Sequence, residues 1–518
     1  MRPIKLFIIL AGMVFSLAPI HAATETDRLA GLDEFIIETM KLSGAPGLAL
    51  SVVQSDQTVI AKGYGLRAAR RPERVDENTV FAIGSNSKLF TSIAVGMLVE
   101  EGKLQWDTPL TRYLPELRFS DPYLFTEVTL RDALSHRTGL KAADLAWYAN
   151  PGVSREESLR MIERLPLDIP LRSGYLYNNF MYHAAGEVIP VASGKSWGEF
   201  VQDRIFTPLS MNRSTTGVDG LAGMQNIAAP HIMVDGAAVP VPYYDLGHIG
   251  AAGSINSSAS DMARWCTVQL ADGKSGDRQV IPEAVLAEIR RPHTLMPTGG
   301  SGHFQTVHGA YGLGIARANY GNEHVIYYHT GRIDGMLSVF ALVPEVELCV
   351  VVFTNSTPSY GLEVATIFWI LDHLLALDGE DYLADFKTGV QEQKKMDIET
   401  RQLHDLAHDE TTRLSLEPSG YAGTFHHDIY GDLVIENLDG KLRLQFGQLF
   451  RGSLAHHRHD SFDLVHDDKV RNTSDPAVLS FALDASGEVE SLLLQMDSVE
   501  PVEIRFQKVK EGASSPQS

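Results

Sequence analysis

Phe81-Ala-Ile-Gly-Ser-Asn-Ser-Lys-Leu-Phe-Thr-Ser-Ile-Ala-Val-Gly-Met-Leu98 changes its periodicity part-way. A short apolar run ends at Gly84. A helical pattern follows, with Leu89, Ile93 and Met97 on one stripe and Phe90, Ala94 and Leu98 beside it. Ser85 is therefore expected at a helix N-terminus, where partial positive charge favours developing negative charge. Lys88 lies three residues on, so the helix pitch puts both side chains on one face. A buried lysine can take a serine's proton when desolvation lowers its pKa. The alternative for Ser85 is a simple N-cap. The chemical reading gains because this is the only Ser-x-x-Lys in the chain and two partner motifs follow it in order.

Tyr-x-Asn occurs three times, at Tyr148, Tyr177 and Tyr320. Tyr148-Ala-Asn150 runs into Pro151-Gly152 and reads as a helix end or turn. Tyr320-Gly-Asn322 reads as a turn between strands. Tyr177-Asn-Asn179 leaves a loop and enters a helical pattern containing Met181, Ala184, Ala185, Val188 and Ile189. A phenol there can relay protons, and the Asn179 amide can bind a substrate carbonyl or orient Lys88. The alternative is a packing tyrosine and a capping asparagine. His136, in Ser135-His-Arg-Thr-Gly-Leu140, reads as a residue that shapes a loop beside the site.

The clearest sheet signal runs from Glu323 to Asn355, with a strand ending at His329-Thr330-Gly331 and an apolar run Leu348–Thr354 suited to a buried strand. A literal Lys387-Thr-Gly389 sits in a polar helical stretch and reads as chance. Upstream, Asp27–Leu42 reads as an amphipathic helix, and Leu48–Val53 with Thr58–Ala61 as two strands. Gly247–Gly253 reads as a Gly-rich loop, with no following Lys-Ser or Lys-Thr to make it a phosphate loop. Ser258–Asp261 caps a helix through Leu270.

Ala365–Leu377 closes the first domain, and 378–418 reads as a polar helical connector. Beyond it, seven short strands predict a small antiparallel barrel. They are Thr424-Phe425, Leu433–Ile435, Leu442–Phe446, Phe462–Val465, Val478–Leu483, Ser491–Leu494 and Val502–Phe506. Its histidines (His426, His427, His456, His457 and His459) read as solvated loop residues rather than a metal site, since no carboxylate or Cys falls in recognised ligand spacing with them.

The 518 residues are 44% hydrophobic and 21% charged, as in ordinary globular proteins, and carry a net charge of -21. That charge argues against a nucleic-acid partner. Arg2, Lys5 and the apolar Leu6–Leu17 before His21-Ala22-Ala23 read as a secretory signal cleaved after Ala22. The expected localisation is periplasmic or secreted, with no stable membrane anchor after cleavage. Cys266 and Cys349 both lie in apolar runs; a bridge and two buried thiols are both open.

Ser85-x-x-Lys88, Tyr177-x-Asn179 and His329-Thr-Gly331, in that order, resemble the motifs of the penicillin-recognising serine hydrolases. The class C β-lactamase-like branch, which includes D-aminopeptidases, DD-peptidases and esterases, is the nearest likeness. Phe206-Thr-Pro-Leu-Ser-Met211 and Ser260-Asp-Met-Ala-Arg264 support it. The resemblance implies an α+β fold: an antiparallel sheet flanked by helices plus an all-helical subdomain. The following barrel resembles a lipocalin-like domain. The expected divisions are 1–22 signal, 23–377 hydrolase, 378–418 connector, 419–510 barrel and 511–518 disordered tail.

The resemblance makes Ser85 the nucleophile, with Lys88 and Tyr177 sharing acid–base work. Asn179, His329, Thr330 and Gly331 would bind substrate, and the backbone N–H groups of Ser85 and Arg332 would form the oxyanion hole. No metal or organic cofactor is implied. His329 replaces the commoner lysine, which points away from high β-lactamase activity; at low pH an imidazolium there would pair with a substrate carboxylate. The implied substrate is a small molecule or short peptide with D-residues. A carboxylesterase, a weak β-lactamase and a non-turnover penicillin-binding or scaffold protein are the alternatives, and a homo-oligomer is left open.

Overall fold

The computed structural model describes residues 25–321, 323–409, 411–472, 477–497 and 501–510. The signal-peptide and tail readings, and Asn322, lie outside them. Helix α1 (Leu32–Ser43) starts later than its pattern suggests, because Gly31 at φ 94° breaks it from the short helix Glu25–Arg28. Strands β1 (Gly47–Gln54) and β2 (Gln57–Gly65) form the expected hairpin across Ser55 and Asp56, both at positive φ.

Helices α2 (Ser87–Glu100), α3 (Asn179–Ser193) and α4 (Ala259–Leu270) belong to one lobe. The main sheet continues through β3 (Phe304–Tyr311), β4 (Ala316–Tyr320), β5 (His324–Ile333), β6 (Met336–Val343) and β7 (Leu348–Thr354). The order is β3-β4-β5-β6-β7-β1-β2, antiparallel throughout, with two two-residue strands completing nine at the β3 side.

The apolar run of β7 is read by alternation. Leu348, Val350 and Val352 pack on one face with α1 and α5 (Leu362–Leu375); Cys349, Val351 and Phe353 pack on the other with α4 and the helical lobe. Both faces of this strand are covered, which is why it is apolar from Leu348 to Phe353. Cys349 is bridged to Cys266 of α4, their Cα atoms 5.7 Å apart, which settles the question the apolar runs left open.

The connector is largely one helix, α6 (Tyr382–Ala407). It is more than a linker: Phe386 and Val390 are buried with α1 and α5 in the hydrolase core. Lys387-Thr-Gly389 lies on its exposed side. The C-terminal segment closes into an antiparallel barrel of eight strands. They are β8 (Gly423–His427), β9 (Gly431–Leu438), β10 (Lys441–Phe446), β11 (Phe450–Arg458), β12 (Ser461–His466), β13 (Val478–Leu483), β14 (Val489–Asp497) and β15 (Pro501–Lys508).

β11 was not legible in sequence. Its apolar residues do not alternate; inward Gly452 lies against the β12 backbone, where a Cβ would come 2.2 Å from Val465 O, and the register slips after His456. Consequently His426, His427, His456 and His457 stand on strands, not on solvated loops, and His457 is buried. No helix among the described residues is long and apolar enough to cross a membrane.

Candidate active site

Ser85 sits in a single 3-10 turn, Gly84–Asn86, immediately ahead of α2. It is half-buried while its neighbours on both sides are buried, and its side chain caps nothing; Asn86 is the N-cap residue. α2 is buried all round from Ser87 to Leu98 because it runs through the middle of the helical lobe, and it carries Lys88 to 0% exposure.

Lys88 Nζ lies 3.0 Å from Ser85 Oγ, 2.7 Å from Asn179 Oδ1 and 2.7 Å from Ala252 O. Desolvation brings its pKa down to about 7, against a smaller upward pull from Asp144. The arrangement dictates what the neutral amine does. Asn179 Oδ1 and Ala252 O can only accept, so they take its two N–H bonds, and its lone pair is left facing the Ser85 hydroxyl.

Asn179 is the first residue of α3, and Asn178 takes the capping role, accepting from Met181 N at 3.0 Å. Asn179 is thereby free for Lys88. Its Nδ2 donates to both oxygens of Asp144, each at 3.1 Å, which fixes the amide with its oxygen towards the lysine. In this state Asn179 orients Lys88. Asp144 itself is held by Trp147 Nε1 at 2.7 Å, and burial raises its pKa.

The Tyr177 ring stands over Lys88, with Nζ 4.8 Å from its centroid, and Ser85 lies close enough to draw its pKa down. Burial pushes the phenol well above its ordinary pKa, with nearby tyrosines and Asp144 adding to the push. Tyr177 therefore stays protonated, the state in which a phenol can donate a proton. The other two Tyr-x-Asn copies are elsewhere. Tyr320 is buried on the far face of the sheet, bonded to Asp372 at 2.6 Å. Tyr148 lies at the cavity rim, its hydroxyl bonded to Asp334 at 2.7 and 2.8 Å.

His136 is at φ 55° and buried, and its Nδ1 accepts from Asn178 N at 3.1 Å. Its ring touches Tyr177 at a centroid distance of 4.2 Å. It shapes the loop that presents Tyr177, as its context suggests, and burial holds its pKa well below the usual value.

His329 Nδ1 lies 2.6 Å from Thr330 O, and its Nε2 lies 2.9 Å from Tyr311 Oη. A carbonyl only accepts, so Nδ1 carries the proton and Nε2 receives the Tyr311 hydroxyl. Burial, reinforced by the Lys88 charge, depresses its pKa to about 3. The imidazolium expected at low pH is therefore not available in the working range, because burial and the Lys88 charge both oppose it. Gly331 is a spacer: a Cβ there would meet Ile83 O at 1.9 Å and Ser338 Oγ at 2.4 Å. Its bareness lets β5 press against the Ser85 turn. Gly84, at φ 52°, makes the reciprocal approach, a Cβ there falling 2.7 Å from Arg332 N. This brings the Ser85 and Arg332 backbones to one wall of the cavity, where an oxyanion hole is required. Thr330 also lines that wall.

Two site residues escape sequence reasoning. Asp144 and Ala252 belong to no motif and reach the lysine only through the tertiary fold. Gly247–Gly253, read as a loop, is a 3-10 turn leading into a short helix, Gly250–Gly253, whose Ala252 carbonyl points at Lys88.

The cavity measures about 390 Å³ and its walls include Tyr148, Tyr175, Tyr177, Leu246, Ile249 and Met296. A second cavity of about 670 Å³ adjoins it between the hydrolase domain and the barrel, sharing Asp144, Trp147 and Tyr175 and bounded by Ile429 and Ile504. The barrel also holds residues of the first cavity's wall. Arg471 donates to Tyr148 Oη at 3.0 Å and to Asp334 Oδ2 at 3.4 Å, and Gln448 N donates to Ala149 O at 2.8 Å.

A serine hydrogen-bonded to a buried lysine, on a nine-stranded antiparallel sheet with a helical lobe, defines a serine hydrolase of the Ser-x-x-Lys kind. The chain belongs to the beta-lactamase family, whose model matches residues 32–375; a second model, a domain of unknown function (DUF3471), matches 407–509. The unguisins hydrolase ungD of Aspergillus violaceofuscus is 28% identical over 458 residues, 82% of this chain and 79% of that protein. Penicillin-binding protein 4 of Amycolatopsis lactamdurans is 28% identical over 319 residues, 60% and 81% of the two chains. Among solved structures, the octameric penicillin-binding protein homologue from Pyrococcus abyssi superposes with a TM-score of 0.60 at 21% identity, covering 93% of this chain and 100% of that one. The D-amino acid amidase from Ochrobactrum anthropi SV3 superposes at 0.55 and 20%, covering 67% and 99%. These two structures bear on the fold.

Proposed function

We propose that this serine hydrolase is exported and cleaves amide bonds in small peptides containing D-residues, through an acyl-enzyme on Ser85. One observation carries the reading: the lone pair of a lysine with pKa about 7 is directed at Ser85 by two acceptor-only oxygens. Ser85 attacks the carbonyl carbon as Lys88 takes its proton. The oxyanion is met by the Ser85 and Arg332 N–H groups. The proton passes through Tyr177 to the leaving amine, and water then releases the acyl group by the same route. Neutral His329 in an aromatic cavity supports uncharged amides over β-lactams, which carry a carboxylate. The names of relatives, an unguisins hydrolase and a D-amino acid amidase, support a peptide or amino-acid amide. The charged-then-apolar N-terminus and the Cys266–Cys349 bridge support export.

The test is a panel of D- and L-aminoacyl anilides, acyl esters and a chromogenic cephalosporin, with fluorophosphonate labelling of Ser85 followed by mass spectrometry. The D-aminoacyl anilides should give the highest kcat/KM. A preference for esters by two orders of magnitude or more would replace the peptidase with a carboxylesterase, and a label that never reaches Ser85 would remove the mechanism.

A further inference from the structure

We propose that His404, His457 and Asp463, with His408 as fourth donor, form a zinc site that clamps the end of α6 to the barrel. His404 Nε2 lies 3.0 Å from Asp463 Oδ1, and His457 Nδ1 lies 3.2 Å from Asp463 Oδ2. One donor atom from each of the three lies within 4.8 Å of the others. Ligands about 2.0–2.1 Å from a tetrahedral zinc stand roughly 3.3 Å apart, so the observed spacings need only small side-chain movements to close on an ion. His408 follows His404 by four residues, just past the end of α6. Its Nδ1 is 3.8 Å from Asp463 Oδ2, and its ring is 5.4 Å from that of His457.

Other features fit a metal better than a plain ion pair. Two or three imidazoles share one carboxylate, more nitrogen donors than a single Asp needs. His457 and Asp463 are both buried, at 4% and 9% exposure. The second nitrogen of His404 faces Asp405 Oδ1 at 3.7 Å, where an outer carboxylate typically fixes the tautomer of a metal-bound histidine. The donor set of imidazoles and a single carboxylate suits zinc and disfavours Mg²⁺ and Ca²⁺, which ask for oxygen.

The site joins two bodies. Phe386 and Val390 anchor the first half of α6 in the hydrolase core, while His404 and His408 meet β11 and β12 of the barrel. An ion here fixes the seat of the barrel, and with it Arg471 at the cavity rim.

The experiment uses the full chain, stripped with chelator and dialysed, and titrated calorimetrically with zinc chloride. One zinc per chain is expected, with a melting temperature that rises with zinc concentration as ligand linkage requires, and no response to magnesium. Asp463→Asn and His404→Gln should each weaken zinc binding at least tenfold, and His426→Ala should leave it unchanged. Cobalt in place of zinc should give the intense visible bands of a tetrahedral nitrogen–oxygen site. Should either variant fail to fold, the cobalt spectrum of the unaltered chain decides. Sub-stoichiometric zinc, binding untouched by both substitutions, or a weak octahedral cobalt spectrum would each overturn the site.

Discussion

Lys88 Nζ is 2.7 Å from Asn179 Oδ1, and the same asparagine donates through Nδ2 to Asp144. The amide thus couples a carboxylate to the lysine while keeping them apart: Asp144 raises the Lys88 pKa through space, and desolvation overrides it. The base is tuned by a residue that does not touch it.

Loss of the nucleophile or the base should be severe. Ser85→Ala and Lys88→Ala are expected to lower kcat by roughly 10³- to 10⁶-fold, because the two act as one unit, and the double variant should be little worse than either. Steady-state kinetics on the best substrate of the panel check this; a Ser85→Ala protein with near-normal turnover would end the assignment.

The pH profile follows from which group titrates. With Lys88 at about 7, kcat/KM for a neutral substrate should rise with pH and level off above 7, since Lys88 must be neutral to accept the proton. Tyr177, held well above its usual value, adds no early alkaline fall, and His329 at about 3 adds no limb between pH 4 and 9. Asp144→Asn removes the anion that favours the ammonium, so the midpoint should move down while the plateau falls as Asn179 loses its tether. A midpoint that stays or rises would show that Asp144 is uncharged in the free enzyme.

Three tyrosines with the same motif should separate by readout. Tyr177→Phe should cut kcat by at least 10²-fold. Tyr320→Phe should leave kcat unchanged and lower stability by about 1–3 kcal/mol, since Asp372 loses a buried partner. Tyr148→Phe should act mainly on KM, through Asp334 and Arg471. Chemical denaturation alongside kinetics resolves the three, and a catalytic collapse in Tyr148→Phe with an active Tyr177→Phe would reverse the roles.

Gly331→Ala should be disabling without touching any reacting group. The added methyl meets Ile83 O and Ser338 Oγ, so β5 must retreat from the Ser85 turn and the two oxyanion N–H groups separate. A fall in kcat of roughly 10²-fold or more is expected, together with a lower melting temperature. Fluorophosphonate labelling rates report the same displacement independently of substrate.

The barrel should matter to substrate size. Arg471→Ala frees Tyr148 and Asp334 and opens the rim towards the second cavity. The ratio of kcat/KM for long over short peptide anilides should rise several-fold, and an unchanged ratio would show that the barrel does not border the working site.

Much of this was legible in the chain. Ser85 and Lys88 are three residues apart across the tight turn that leads into α2, so their short spacing alone brings them together. Tyr177 was separable from its two rivals because only it leaves a loop and enters an apolar helix. β7 declares itself because burial on both faces demands an apolar run, and β5 because it alternates into Gly331. β11 did not, because Gly452 and a bulge, rather than an alternating pattern, fit it to its neighbours.

By itself the sequence determined the local elements and the pairing of Ser85 with Lys88, because periodicity and short spacings are properties of neighbouring residues. Only the tertiary structure decided the surroundings of that pair. The pKa of Lys88 depends on its removal from water and on the Asp144 charge, and its amine is oriented by the Ala252 carbonyl of a segment with no motif. His329 was visible as a residue, but its neutrality was not: a titrating group is governed by what surrounds it, and Tyr311, the Thr330 carbonyl and the Lys88 charge converge on it only when the sheet and the helical lobe close together.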